Sequence, residues 1–427
     1  MRVWSHRVRT AAVAAAGIVA LAACSGTEAE GEATTTAAVP TSAAATVPDT
    51  TSAVTDTTGF PVMPIAAAGW TMAVDGAPWG GRAGLRVVAL DGADGQQLFV
   101  LGGRTPKDSP IPGVSDLWGD VWRSDDAGVR WTKVLESGAA FAPRAYFQAL
   151  VHDGAMYVIG GQDFGFPASN FYNDVWRSAD GVTWERMTEA APWVGRAGLM
   201  AASFGDAIYV FGGSRNDDSA IIGPTGPARE YFNDVWRSTD GGATWEEVAA
   251  AAPWPARAGG AVAVHEGALY LLGGEVGFIC QPFPGCDPPY FNDVWRTTDG
   301  DTWELVAEEA AWSSRPGHQC ESLDITTPAL SGPAIVCFGG FGQLENPIDV
   351  WATSDGATWA QLDSSPWNAA TSEQGRYDFD STVAVVPGEA GDVPAIITVG
   401  GDRETFEFGD PENWLRVDDD VWWFVIS

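Results

Sequence analysis

Arginine recurs in this sequence in a constant local frame, at Arg82, Arg144, Arg196, Arg257, Arg315 and Arg376. A planar guanidinium with five N–H donors is shaped to take a carboxylate in two parallel bonds. Six of them at regular spacing therefore raise the chemistry of carboxylate recognition. Aspartate recurs in step, in Asp-Val-Trp tripeptides that begin at Asp120, Asp174, Asp234, Asp293, Asp349 and Asp420. The simplest reading of these is a brace for the turn before a strand. Other chemistries lack their residues. Of the four His, His6 lies in an N-terminal leader, His152 and His265 sit beside Asp-Gly or Glu-Gly turns, and only His318 falls near a strand start. A multi-histidine zinc or copper site cannot be assembled from that set. No local signature of a Ser-His-Asp triad is present. Asn216-Asp217-Asp218 lacks the alternating acids of a calcium loop. The reading is of a protein with no metal and no cofactor.

The elements that must position the arginines are repeated. Six Gly-Gly pairs, at Gly102, Gly160, Gly212, Gly273, Gly339 and Gly400, each end a short apolar run rich in β-formers, and each Asp-Val-Trp follows its pair. Five units continue to a second Trp, at Trp131, Trp184, Trp245, Trp303 and Trp359. A period of this size means a repeat architecture. The runs are separated by Asp-Gly or Glu-Gly turns and Gly/Pro loops, and no helical period occurs after residue 60. Four strands per unit and six units predict an all-β, six-bladed β-propeller of four antiparallel strands per blade. The spacing from second Trp to next Arg is 12 or 13 in most units, and Trp70 precedes Arg82 by 12. Trp70 thus behaves as the outer-strand Trp of a blade whose other strands lie at the C-terminus. The N-terminal strand should close the last blade.

Register follows from the turns. A two-residue turn at Asp153-Gly154 sets Ala149 opposite Val158, and the same count sets Ala201 opposite Val210 and Val262 opposite Leu271. The same offsets in the fifth unit fall on Cys320 and Cys337, a non-hydrogen-bonded pair with Cα atoms about 4.5 Å apart, within disulfide range. Cys280 and Cys286 flank Gln-Pro-Phe-Pro-Gly and would close a small loop.

Arg196…Tyr209…Gly212-Gly213…Asn233-Asp234-Val235…Trp245 resembles the kelch repeat, the unit of the galactose-oxidase-like propellers, and the resemblance extends over residues 69–427. Ser238-Thr239-Asp240-Gly241-Gly242-Ala243-Thr244-Trp245 also resembles the Asp-box hairpin of sialidase-type propellers, where the Asp is a turn brace. The kelch resemblance implies that the six arginines stand at the mouth of a central channel, where loops of unequal length open. There they would bind a ligand or brace a neighbouring blade. Trp79, Trp193, Trp254, Trp312 and Trp367 precede them by a few residues and could form an aromatic rim. Arg104, Gln162, Glu275 and Asp402, directly after Gly-Gly, would join the set. A copper centre of the galactose-oxidase kind needs two His at the axis and cannot be built here.

Arg2, Arg7 and Arg9, an apolar run over Ala11–Ala23 and Leu21-Ala22-Ala23-Cys24 resemble a bacterial lipoprotein leader. The expected division is a signal peptide over 1–23, lipidated Cys24 with a Thr/Ala/Pro-rich tether over 24–60, and the propeller over 61–427. The protein would sit outside the cytoplasm, lipid-anchored to the cell membrane, where two disulfides suit the compartment.

The chain has 23 Lys+Arg against 56 Asp+Glu, a formal charge of −33 over 427 residues, which excludes a phosphate-backbone binder and so nucleic acid. Loss of residues 1–23 removes three Arg and no acid, taking the mature chain to −36. Two functions remain. The first, which the residues favour, is a monomeric, non-catalytic platform binding a protein, peptide or glycan at the arginine-lined mouth, a carboxylated sugar or acidic peptide suiting the guanidiniums. The second is an enzyme acting on an acidic sugar, like the sialic acid mutarotase among kelch propellers or the Asp-box sialidases. The anchor is testable by fractionation. Cys24→Ser should release a folded protein into the soluble extracytoplasmic fraction, and retention on membranes after a high-salt wash would contradict a single lipid anchor.

Overall fold

A computed structural model describes residues 69–426 apart from 94, 110–113, 166–167, 217–227, 278–288, 343–345, 363–374, 389–390 and 405–411. Cys24, the tether, Cys280, Cys286 and Trp367 lie outside the described residues. Six four-stranded antiparallel sheets form the blades of a β-propeller. Blade one comprises Arg86–Gly92, Gly95–Pro106, Ser115–Ser124 and Thr132–Leu135, from the axis outward. Blades two to five repeat that order from innermost strands Gln148–His152, Met200–Phe204, Ala261–His265 and Gln319–Thr326. Blade six takes Asp380–Val386, Val393–Val399 and Val421–Val425 from the C-terminus and its outer strand, Gly69–Val74, from the N-terminus, with Trp70 opposite Phe424. The ring therefore closes by strand pairing, as the Trp spacing implied. The one helical feature among the described residues is a 3-10 turn at Asn413–Leu415.

Each blade is covered on both faces by its neighbours, so a second strand such as Ala155–Ile159 or Ala207–Phe211 is buried along its whole length. That explains runs without polar alternation. The core is divided into six apolar layers, one between each pair of neighbouring blades. Trp79, Trp193, Trp254 and Trp312 belong to these layers and are buried. All four stand edge-on to the outer Trp of their own blade, Trp79 on Trp131, Trp193 on Trp245, Trp254 on Trp303 and Trp312 on Trp359. They form no rim at the mouth, because an indole gains more from burial between sheets than at an edge. The registers deduced from turn counts hold: Ala149 faces Val158, Ala201 faces Val210, Val262 faces Leu271 and Cys320 faces Cys337, which form a disulfide.

The six arginines carry the contacts that join blade to blade. Arg196 donates Nη1 to Asp234 Oδ1 and to the Gly212 carbonyl, Nη2 to Asp234 Oδ2 at 2.9 Å, and Nε to the Val194 carbonyl at 2.9 Å. The same bidentate pairing joins Arg82 to Asp120, Arg144 to Asp174, Arg257 to Asp293, Arg315 to Asp349 and Arg376 to Asp420. The aspartate is in the arginine's own blade rather than its neighbour's. It serves as the arginine's counter-ion, and its second oxygen also accepts the indole N–H of the Trp two residues on. The backbone of the same arginine reaches the preceding blade: Arg196 N–H donates to Tyr172, and its carbonyl accepts from Gly161. One residue thus staples two blades. The Gly-Gly pair makes the room, since a Cβ on Gly213 would lie 3.0 Å from Arg196 Cδ.

The arginines are 0–4% exposed, and removing one partner of such a pair leaves a buried charge unmatched. Arg196→Ala or Asp234→Ala should each destabilise the propeller by about 3–5 kcal/mol. The double variant should cost clearly less than the sum of the two. Denaturant unfolding checks both, and single losses under about 1 kcal/mol, the level of an exposed pair, would refute the staple.

Candidate functional site

Two residues beyond each arginine the chain turns at the axis, and six backbone hydrogen bonds run from blade to blade there in a closed circle. Gly84 N–H donates to Asp378, Asp378 to Gly317, Gly317 to Gly259, Gly259 to Gly198, Gly198 to Tyr146, and Tyr146 to Gly84. All six residues have positive φ, between 52° and 67°. Four are glycine, as that conformation favours. Tyr146, at φ 54°, and Asp378, at φ 52°, are not. Left-handed backbone at residues bearing a Cβ is retained where a side chain is needed at that point.

The neighbouring positions depart from the repeat in the same sector. Directly after each arginine stand Ala83, Ala145, Ala197, Ala258 and Pro316, but Tyr377 in blade six. Directly after Gly-Gly, facing them, stand Arg104, Gln162, Ser214, Glu275, Phe341 and Asp402. Arg104 is the basic member of that set, and its partners are the departing residues. Its Nε donates to Tyr146 Oη at 2.8 Å and its Nη2 to Asp402 Oδ2 at 2.8 Å, and the guanidinium lies 5.4 Å from the Phe164 ring centre. Asp402 thus pairs with Arg104 and not with the stapling arginines. On the far side of the mouth, Glu275 accepts from Tyr231 Oη and the Gly277 N–H.

Burial and crowding of acids set the protonation of this cluster. Burial and the nearby Asp402 push Asp378 up to about 7, against the pull of Arg104, the Tyr146 hydroxyl and Arg86. Burial and Asp402 push Glu404 up to about 8, against Arg104. Burial also raises Asp402, but its ion pair with Arg104 makes it the ionised member. Burial works against the Arg104 charge, which Tyr146 and Asp402 outweigh, so the guanidinium stays charged. Burial and the acids around it keep Tyr377 a neutral phenol. Burial and Asp420 lift Asp418 to about 6, although Arg376 at 3.4 Å and Arg403 at 3.2 Å pull the other way.

Below the mouth the innermost strands of all six blades line a cavity of about 200 Å³. Asp380 on its wall pairs with Arg86 at 2.9 Å, and Glu321, which burial raises to about 7, accepts from Ser381 at 2.6 Å. A space of this size holds several waters. His318 is buried against Trp312, and burial together with Arg315 lowers it to about 3, so it is a neutral core ring. His152 and His265 bond Ser203 and Ser322 between neighbouring blades. Among the described residues, no three or more His, Cys, Asp or Glu are placed to hold a metal ion.

The structure therefore brings Arg104, Tyr146, Tyr377, Asp378, Asp402 and Glu404 together, and commits the six expected arginines, with at least four donors each engaged in Arg82, Arg144, Arg196, Arg257 and Arg315, to the frame. The departures are visible in sequence once the units are aligned on arginine: Arg-x-Gly four times, against Arg144-Ala-Tyr146 and Arg376-Tyr-Asp378.

The model of the KLHDC2/KLHL20/DRC7 Kelch-repeats domain matches residues 84–340. Two sequences of xyloglucanase Xgh74A from Acetivibrio thermocellus are each 24% identical over 309 residues, covering 65% of this chain. This chain spans 30% of the length of those relatives. The solved structure titled "Structure of YjhT" superposes with a TM-score of 0.55 at 16% identity, over 82% of this chain and 96% of that one, a likeness of fold.

Asp378→Gly should stabilise the protein by about 1 kcal/mol through relief of the left-handed backbone. The gain should depend on pH. A carboxyl whose folded value is raised contributes stability below its unfolded value near 3.8 and loses it as pH rises toward about 7. The stabilisation on removing it should therefore grow across that window and level off above it. Thermal melts from pH 4 to 8 check the sign, and a loss of stability at pH 8 would contradict it.

Proposed function

The chain belongs to the kelch-repeat family, and from that premise we propose that its propeller is a glycan-binding platform whose ligand sits on the mouth cluster around Arg104. The observation that carries this reading is the clustering of departures. Four units of the repeat show what the scaffold needs, and residues that break the pattern in one sector serve something other than the scaffold. The cluster offers what a sugar uses: a charged donor at Arg104, held by the buried Asp402 beneath it, protonated or half-protonated carboxyls at the half-buried Asp378 and Glu404, and a half-buried ring at Phe164. The xyloglucanase relatives support a carbohydrate over a peptide.

The leader, Cys24 and the tether support display of this platform outside the cytoplasm on a lipid anchor, and the Cys320–Cys337 disulfide fits that compartment. A catalytic reading draws on one observation, protonated acids at Asp378 and Glu404 beside ionised Asp402, the arrangement of a general acid with a base. Release of reducing ends from the bound glycan would identify it.

Titration of the mature protein with a xyloglucan oligosaccharide, followed by calorimetry, tests the binding. Arg104→Gln should weaken it by about 1.5–3 kcal/mol, the worth of charge-assisted bonds. Arg196→Ala, examined below its lowered melting point, should leave affinity unchanged. The opposite pattern would return the ligand to the arginine ring.

A further inference from the structure

Resting on the reading of the mouth as a glycan site, we propose that it selects uncharged sugars and rejects carboxylated ones, through the excess of carboxyl groups around Arg104. The six stapling arginines present no net charge to a ligand, because each is buried with its own aspartate. Arg86 is likewise matched by Asp380, and Arg403 by Asp418. What remains at the mouth is Arg104 facing three acids, Asp378, Asp402 and Glu404. The guanidinium that could have taken a sugar carboxylate already holds Asp402 at 2.8 Å. Tyr146 and Tyr377, which pack against the same groups, are neutral phenols. An incoming carboxylate would be a fourth acid on one cation, in a chain whose total charge is already −33. A hydroxyl suffers no such penalty. It donates to the half-buried carboxyl of Asp378 or Glu404 where that is ionised, and accepts from Arg104 or from a carboxyl that is protonated.

The local balance also depends on pH. Asp378 and Glu404 exchange protons at about 7 and about 8, so lowering the pH through that range removes up to two negative charges from the mouth. Rejection of a carboxylate should therefore be strong at pH 8.5 and weak at pH 5.5, where the sugar acid itself is still ionised.

The test compares a β-1,4-linked glucose tetrasaccharide with the β-1,4-linked glucuronate tetrasaccharide, on the full mature protein, by ligand-observed NMR with calorimetry. The affinity ratio should favour the glucose ligand by at least about fivefold at pH 8.5 and fall toward one at pH 5.5. Glu404→Gln should narrow the ratio at pH 8.5. Asp378→Asn gives the same readout if the first variant folds poorly. Glucuronate binding as tightly as glucose at pH 8.5 would overturn the selectivity and leave the glycan reading intact. A ratio that shrinks with salt but ignores both substitutions would assign the repulsion to the whole acidic surface, and also overturns it. Binding of neither ligand, and of no xyloglucan oligosaccharide, would remove the glycan reading itself.

Discussion

A buried arginine that belongs to two blades at once is the constraint on which this propeller depends. Its side chain is anchored inside its own blade, on an aspartate and a glycine carbonyl, while its peptide group is hydrogen-bonded into the blade before it. Neither half suffices alone. The backbone bonds hold neighbouring sheets at a fixed offset, and the ion pair fixes the strand carrying them to the third strand of the next sheet. Several sequence features follow. Two consecutive glycines adopt positive φ, at 60° and 98° in Gly212 and Gly213, because a Cβ would displace the guanidinium stem and the incoming backbone. The aspartate precedes Val-Trp because the same carboxylate must also meet an indole N–H. An aromatic ring at 3.9–4.5 Å covers the guanidinium in the first four blades, on Trp118, Tyr172, Phe232 and Phe291. Six like charges around one axis are tolerable because each is neutralised on the spot.

The repeat also separates scaffold from site. Where all six units agree, the residues bond one another. Where two units disagree, at Tyr146 and at Tyr377 with Asp378, the side chains gather around the mouth's own cation, Arg104. The sector lies where blade six, closed by the N-terminal strand, meets blades one and two. The circle of six backbone bonds gives it a rigid floor, and tolerates two non-glycine residues at a cost in strain that the uniform blades avoid.

Much of the fold could be read from the residues, because it is governed by local counts. Turn length fixes the register of Ala201 with Val210, and the same count finds the disulfide at Cys320 and Cys337. Trp70 reveals the closing strand by its distance to Arg82. The site was less legible. The residue type of Arg196 states what it can bind, not what it does bind, and its partner Asp234 lies 38 positions on. Both series recur with one period, a co-recurrence that identifies the pair once it is looked for. Trp193 before Arg196 suits a ligand rim as well as an inter-blade layer, and only packing distinguishes them. Asp378 shows in the aligned repeat as a residue in a glycine's place, but its role comes from the acids it meets in space, which no motif states.

If one arginine fixes each blade to the next, the ring opens as a whole or not at all. The amide protons of Gly103, Gly161, Gly213, Gly274, Gly340 and Gly401, each donated to the arginine carbonyl of the following blade, report this directly. In native-state hydrogen exchange they should all exchange with the same opening free energy, equal to that of global unfolding from denaturant titration. Exchange graded from blade to blade, with amides near the closing strand released well below the global value, would mean that the blades stand separately and that the staple is not what holds them.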